Sequence, residues 1–224
     1  MELQHIKKEF IENGYCHFSI DLIDKEFYNF LNNFKCNDTD DLKHAINSFR
    51  FDCPSLETSE HGKTYNELKS IKENLYNLHG NTNPTQIWFW GNNFSIFQKK
   101  IGMNEDGILK TIKKGIDNII NFLYDLNNTN FEHPQLQITY YDKNSRFTPH
   151  TDGPDTKKQC SVIIYLNENY DKNDGGLLIL DDNEFVPEFG TIAIMDLTNH
   201  DIRHGVTEVV NGNGRFAILS FPEI

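Results

Sequence analysis

Leu136-Gln-Ile-Thr-Tyr-Tyr-Asp-Lys-Asn-Ser-Arg-Phe-Thr-Pro-His-Thr-Asp152 decides the fold. Leu136 to Tyr141 alternates apolar and polar residues in a β-rich run, Asp142 to Ser145 carries turn chemistry, and Phe147 to Asp152 forms a second run. Successive side chains of a strand point to opposite faces, so His150 and Asp152 point together while Thr151 points away. An imidazole and a carboxylate then stand side by side like a pincer.

The same texture continues downstream in short runs at Cys160 to Asn167, Leu177 to Leu180, Thr191 to Met195 and Arg215 to Phe221, punctuated by Gly, Asn and Asp. Many short strands with frequent turns indicate an antiparallel sandwich or barrel. Alternation places Gln137, Thr139 and Tyr141 on one face of their strand, and Ser161, Ile163, Tyr165 and Asn167 on one face of theirs.

Upstream of Pro134 the periodicity is helical. Leu3, Ile6 and Phe10 share one face of a helix over Leu3 to Ile11, with Gly14 as its stop. A short strand fits Tyr15 to Ile20. Asp21 is a candidate cap for a second helix with a Phe27, Phe30, Leu31, Phe34 stripe. Ile108, Ile112, Ile116, Ile119 and Leu123 recur every three or four residues, which predicts a helix over Glu105 to Leu126 lying against a sheet. Gln86 to Gln98 is crowded with aromatics around Gly91-Asn92-Asn93, which reads as a hairpin of two strands that could border a pocket. Cys36 to Asn83 reads as loops with a short helix near Tyr65 to Leu78. The fold class is α+β with a mainly β core. One domain is expected over 1–224, with 1–133 as a helical support and substrate-region segment and 134–222 as the core.

Composition narrows the function. With 21 Lys and Arg against 33 Asp and Glu, the formal charge of −12 disfavours nucleic acids and anionic membrane surfaces as partners. No apolar run is long enough to span a bilayer, and the first residues lack the form of a secretory signal, so the expected localisation is cytoplasmic. Cys16, Cys36, Cys53 and Cys160 are irregularly spaced and fit buried reduced thiols better than a zinc site or a disulfide framework. Nothing in the sequence fixes the oligomeric state.

Fifty-one residues separate Asp152 from His204, enough for several strands to leave and return. Two imidazoles and one carboxylate on one side of a metal leave positions open for oxygen and substrate, the arrangement of non-haem Fe(II) oxygenases. His200 is the other candidate for the later histidine. It sits in the polar, loop-like run Asp196-Leu-Thr-Asn-His-Asp201, whereas His204-Gly-Val206 opens a β-like segment, and His204 is preferred. Arg215 begins Arg215-Phe-Ala-Ile-Leu-Ser-Phe221, a run too apolar for an exposed strand, with Gly214 or its neighbours making the turn before it. A buried guanidinium needs an anion, and its planar fork suits a carboxylate. That anion is read as part of a ligand. The competing reading is a salt bridge to one of the chain's own acids.

These residues resemble the Fe(II)/2-oxoglutarate-dependent dioxygenases, in particular their prolyl 4-hydroxylase-like branch. Leu136-Gln-Ile-Thr-Tyr-Tyr-Asp142 through Pro149-His-Thr-Asp152 resembles that branch's entry to the iron site. Ser161-Val-Ile-Ile-Tyr-Leu-Asn167 with Gly175-Gly176-Leu177, Pro187-Glu-Phe-Gly190 and His204-Gly-Val206 resemble its later segments. The resemblance covers about 134 to 222. It implies a double-stranded β-helix, or jelly roll, of about eight core strands braced by the N-terminal and central helices. It implies Fe(II) held by His150, Asp152 and His204, 2-oxoglutarate as cosubstrate with Arg215, Tyr165 and Tyr141 as its contacts, and O2 as oxidant. Leu219 stands where relatives often carry a hydroxyl. The expected reaction is hydroxylation of an unactivated C–H bond, such as that of a prolyl or other amino-acid side chain in a small-molecule or peptidyl substrate, with release of succinate and CO2. The rival from another class is a cupin-like module that binds a metal or small acid without turnover.

Overall fold

In the computed structural model, residues 2–35, 50–54, 59–64, 66–71, 89–91, 94–151, 160–198, 201–210 and 214–223 are described. Twelve strands among them form two antiparallel sheets. The larger has the order β1-β10-β7-β12-β5-β4-β2-β3. It comprises β1 (Tyr15–Ser19), β2 (Arg50–Pro54), β3 (Ser59–Thr64), β4 (Phe89–Gly91), β5 (Leu136–Tyr141), β7 (Cys160–Tyr165), β10 (Thr191–Asp196) and β12 (Arg215–Ser220). The smaller, β6-β11-β8-β9, comprises β6 (Phe147–His150), β8 (Leu178–Leu180), β9 (Asn183–Phe185) and β11 (His204–Val206). The chain passes repeatedly between the sheets, as expected for a jelly roll.

Alternation decides which side of the larger sheet each residue serves. Val162 and Ile164 of β7 and Phe216 and Ile218 of β12 join the main apolar core with the helices. Tyr165 and Ala217 belong instead to a second cluster with Leu178 and Leu180 of the smaller sheet. Two helices cover the outer face beside α1 (Glu2–Asn13): α2 (Lys25–Leu31) and the long α3 (Glu105–Leu123). On α3, Ile108, Ile112, Ile116, Ile119 and Leu123 are all buried, as their spacing predicts. Gly115 is needed where α3 crosses α2, since a β-carbon there would meet the Phe27 ring at 2.3 Å.

Several expectations need correction. Asp21 does not cap α2: it lies in a 3-10 turn, and Asp24 is the cap, accepting from the Phe27 amide at 2.8 Å. Gly14 does stop α1, with φ +77°, but Leu3 is exposed. The expected second strand of the Gln86 to Gln98 hairpin is helical, a 3-10 turn at Ser95–Phe97 running into a helix at Gln98–Ile101. Phe94 and Phe97 pack in the main core, three residues apart, so their period was helical. The segment read as loops from Cys36 to Asn83 contains β2 and β3, while residues 66–71 are helical within the expected 65–78. Cys16 and Cys160 are buried free thiols; Cys36 lies outside the described residues.

One buried polar network ties helix to sheet. His133 Nε2 lies 2.8 Å from Asp117 Oδ1 on α3, and its Nδ1 lies 2.9 Å from Ser220 Oγ on β12. These are the residue types of a hydrolase triad, but Ser220 is fully buried on the helix side of the sheet, so the network is structural. Asp117→Ala strands the imidazole in an apolar layer. The expected cost is about 2–4 kcal/mol of stability, read as a lowered midpoint in urea or thermal denaturation.

Candidate active site

Between the two sheets lies a cavity of about 540 Å³. Its walls come from the inward-facing residues of β5, β7, β10 and β12 on one side and β6, β8 and β11 on the other. His150 and His204 stand at one place on its lining. They are direct partners in the β6–β11 ladder, and their rings lie 4.4 Å apart, centroid to centroid. Gly205 makes that approach possible: a β-carbon there would sit 2.8 Å from the Phe147 carbonyl and from the Pro149 backbone. Any side chain at 205 would push β6, and His150 with it, out of register.

Both rings are oriented the same way. His150 Nδ1 lies 3.1 Å from the Thr148 carbonyl, and His204 Nδ1 lies 3.2 Å from the Ile202 carbonyl. A carbonyl only accepts, so Nδ1 carries the proton in each ring and the lone pair sits on Nε2. A backbone partner that fixes the tautomer is the usual support of a metal-binding imidazole. Asp152, the expected third donor, and His200, the alternative histidine, lie outside the described residues.

Arg215 lies deep in the same cavity, 2% exposed and opposite Tyr141 in the β12–β5 ladder. Its guanidinium carbon is 4.9 Å from the Tyr141 ring centroid and 5.0 Å from that of Tyr165. Its Nε and Nη2 have no hydrogen-bond partner, and no acid among the described residues pairs with it. The salt-bridge alternative therefore finds no acid here, and a buried cation without a counter-ion fits an incoming anion.

The phenols around it are neutral donors. Burial pushes Tyr141 up to about 12, against a downward pull from the Arg215 charge and an upward one from Tyr165. Tyr165 is raised by burial and lowered by the charge of the adjacent guanidinium and by its hydroxyl's approach to it, although no contact there meets full hydrogen-bond geometry. His17, whose ring lies 6.1 Å from that of Tyr165, is driven down to about 4 by burial. It is uncharged at neutral pH, leaving Arg215 as the cation at this end.

Gln137, Thr139, Ser161 and Ile163 line the cavity as alternation predicts, and Leu219 presents an apolar surface beside them. Asn167 departs from expectation. It lies beyond the end of β7, where its amide donates to the Gly214 carbonyl at 3.0 Å and accepts from the Phe216 N–H at 2.6 Å. The side chain thus grips the backbone on both sides of Arg215. Tyr170 is a residue that sequence reasoning passed over. It lies near Arg215 with its hydroxyl buried and unpaired, a property that spacing alone does not reveal.

The arrangement brings two imidazoles that could hold a metal and a guanidinium that could hold a carboxylate into one cavity. Residues 136–222 match the family model described as the 2OG-Fe(II) oxygenase superfamily. No curated protein matches the sequence. Among solved structures, an oxidoreductase of the 2OG-Fe(II) oxygenase family from Burkholderia pseudomallei is similar at 13% identity, covering 99% of this chain and 90% of that one, with a TM-score of 0.60. A prolyl hydroxylase from Trichoplax adhaerens, in complex with a hypoxia inducible factor oxygen degradation domain peptide fragment, is similar at 15% identity. The coverage is 99% and 89%, and the TM-score is 0.61. The non-heme alpha ketoglutarate dependent epimerase SnoN from nogalamycin biosynthesis is similar at 10% identity, with coverage of 98% and 82% and a TM-score of 0.57. These likenesses show a shared jelly-roll fold. Motif, fold and matched segment agree: residues 136–222 match the 2OG-Fe(II) oxygenase superfamily, whose members use Fe(II), 2-oxoglutarate and O2.

Proposed function

We propose that the protein hydroxylates an unactivated C–H bond of a prolyl or other amino-acid side chain, with His150, Asp152 and His204 as iron ligands and Arg215 and Tyr165 binding the distal carboxylate of 2-oxoglutarate. Tyr141 walls the same pocket and is assigned a cosubstrate contact. The observation that carries this reading is the buried Arg215 fork, unpaired and flanked by phenols, in the cavity that His150 and His204 also line.

Bound Fe(II) supplies the oxygen chemistry that couples oxidation of 2-oxoglutarate to succinate and CO2 with oxidation of the substrate. The chain's own part is positional. The Thr148 and Ile202 carbonyls hold Nδ1 of both imidazoles, so Nε2 of each would be the atom that binds the metal, and Asn167 fixes the backbone that carries Arg215. The apolar wall of Ile163, Met195, Leu219 and Phe221 keeps water from the reacting centre. Gln135, Gln137 and Ser161 add uncharged hydrogen-bonding groups to the lining, which suits an uncharged peptide or amide-bearing substrate. The Trichoplax structure, a prolyl hydroxylase with a peptide, supports the same class.

The main core joins residues of α1, α2 and α3 to β5, β7, β10 and β12, which supports reading 1–224 as one domain with its catalytic core at 134–222. The free thiols Cys16 and Cys160 suit a cytoplasmic setting. Among the described residues no helix is long and apolar enough to cross a membrane.

The test is succinate release from 2-oxoglutarate, with Fe(II) and O2 supplied and withheld in turn, across proline-containing peptides and free amino acids. Formation that requires both and is stimulated by a member of the panel supports the proposal. Protein that binds neither Mn(II) nor 2-oxoglutarate overturns it.

A further inference from the structure

Among the described residues, six buried side-chain polar atoms lack a hydrogen-bond partner, and four of them gather in one place. They are Nε and Nη2 of Arg215 and the hydroxyls of Tyr165 and Tyr170. The position of the Tyr170 hydroxyl follows from the turn above it. A β-carbon built on Gly176 would lie 2.6 Å from Tyr170 Oη and 3.1 Å from Arg215 Cδ, so the phenol oxygen and the arginine side chain flank one point.

That turn is pinned. Asp171 and Asp174 cap each other's backbone amides, the Gly176 amide donates to the Glu208 carbonyl at 3.0 Å, and the Val210 amide donates to the Asp174 carbonyl at 2.8 Å. Gly175 lies so close to this stretch that a β-carbon there would be 1.9 Å from the Glu208 carbonyl oxygen. Tyr170 is 9% exposed, and burial raises its pKa to about 12, so it is a proton donor throughout the physiological range. A carboxylate offers about four lone-pair sites, and Arg215, which lines the cavity, has the buried, unpaired hydroxyls of Tyr165 and Tyr170 beside it.

We infer that Tyr170 is a cosubstrate-binding residue, its hydroxyl donating to the distal carboxylate of 2-oxoglutarate beside Arg215 and Tyr165. This rests on the reading that the Arg215 pocket receives 2-oxoglutarate. It adds a donor beside the Arg215 side chain.

The test compares wild type and Tyr170→Phe, both loaded with Mn(II), by calorimetric titration with 2-oxoglutarate and separately with oxalate. Oxalate has a metal-chelating head and no distal carboxylate. The phenylalanine ring keeps the packing and removes only the hydroxyl. Expected is about tenfold weaker binding of 2-oxoglutarate, the size of a lost charge-assisted hydrogen bond, with oxalate affinity unchanged. Without ligand, the variant should melt no lower than wild type, since the hydroxyl it loses has no partner. Wild type and variant binding 2-oxoglutarate equally well would overturn the role of Tyr170 alone. A matching loss for oxalate would make the effect structural and overturn it too. Wild-type protein that binds oxalate but no 2-oxoglutarate overturns the cosubstrate reading and this inference with it.

Discussion

Arg215→Met is expected to abolish 2-oxoglutarate binding while making the ligand-free protein more stable. The two effects have one origin. In the wild type a guanidinium is held 2% exposed with two nitrogens unpaired, an arrangement that costs folding free energy and is relieved only by an anion. Replacing even a buried ion pair with hydrophobic residues of similar volume is often neutral or gains about 1–4 kcal/mol, and a gain of that size for the unpaired Arg215 raises the melting midpoint of a chain of this length by roughly 2–4 °C per kcal/mol. Removing one partner of a buried charge pair typically costs about 3–5 kcal/mol, so affinity for 2-oxoglutarate should fall by about 10²–10⁴-fold. Thermal denaturation with and without 2-oxoglutarate reads both effects at once. A variant that melts lower than wild type and still shows a full ligand-induced shift would remove Arg215 from the site.

His204→Ala carries the other large effect. Groups that merely support a metal ligand change affinity by about 10–100-fold when removed, so loss of the ligand itself should exceed that, and succinate formation should fall below detection. The same outcome is expected for His150→Ala and Asp152→Ala. Mn(II) titration followed by electron paramagnetic resonance measures it directly, and circular dichroism establishes that the sheets remain. Metal affinity within a few-fold of wild type in any one variant would take that residue out of the ligand set.

The half of the chain after Pro134 was legible because both of its signals are local. Alternation in Leu136–Tyr141 and Cys160–Tyr165 told inward from outward residues, and the strand bounds of β5 match the sequence reading. His204 could be preferred because it begins a strand, and the structure sets it opposite His150. The first half failed where a signal was absent or of mixed period. Ser-Glu-His-Gly-Lys-Thr of β3 has no apolar alternation, so nothing marked it as a strand. Phe94 and Phe97 lay among β-favouring aromatics and were read as part of a second strand, yet they face the core from a helical turn. Asp21 was read as the cap of α2, but the 3-10 turn at Ile20–Leu22 takes it up and Asp24 caps the helix instead. Tyr170 was invisible for a different reason. An unpaired hydroxyl is a property of three segments meeting, the turn at 171–176, the stretch around Glu208 and the head of β12, and no stretch of sequence contains it.

Tyr15 lies opposite Met195 in the β1–β10 ladder. Strand β1 therefore has no ladder partner until the chain has been made as far as β10. Closing so long a loop costs entropy before any contact returns it, which slows assembly of this edge. Until it closes, Cys16 and Phe18 remain uncovered, and the nascent N-terminal segment depends on its helices, or on a chaperone, for shelter.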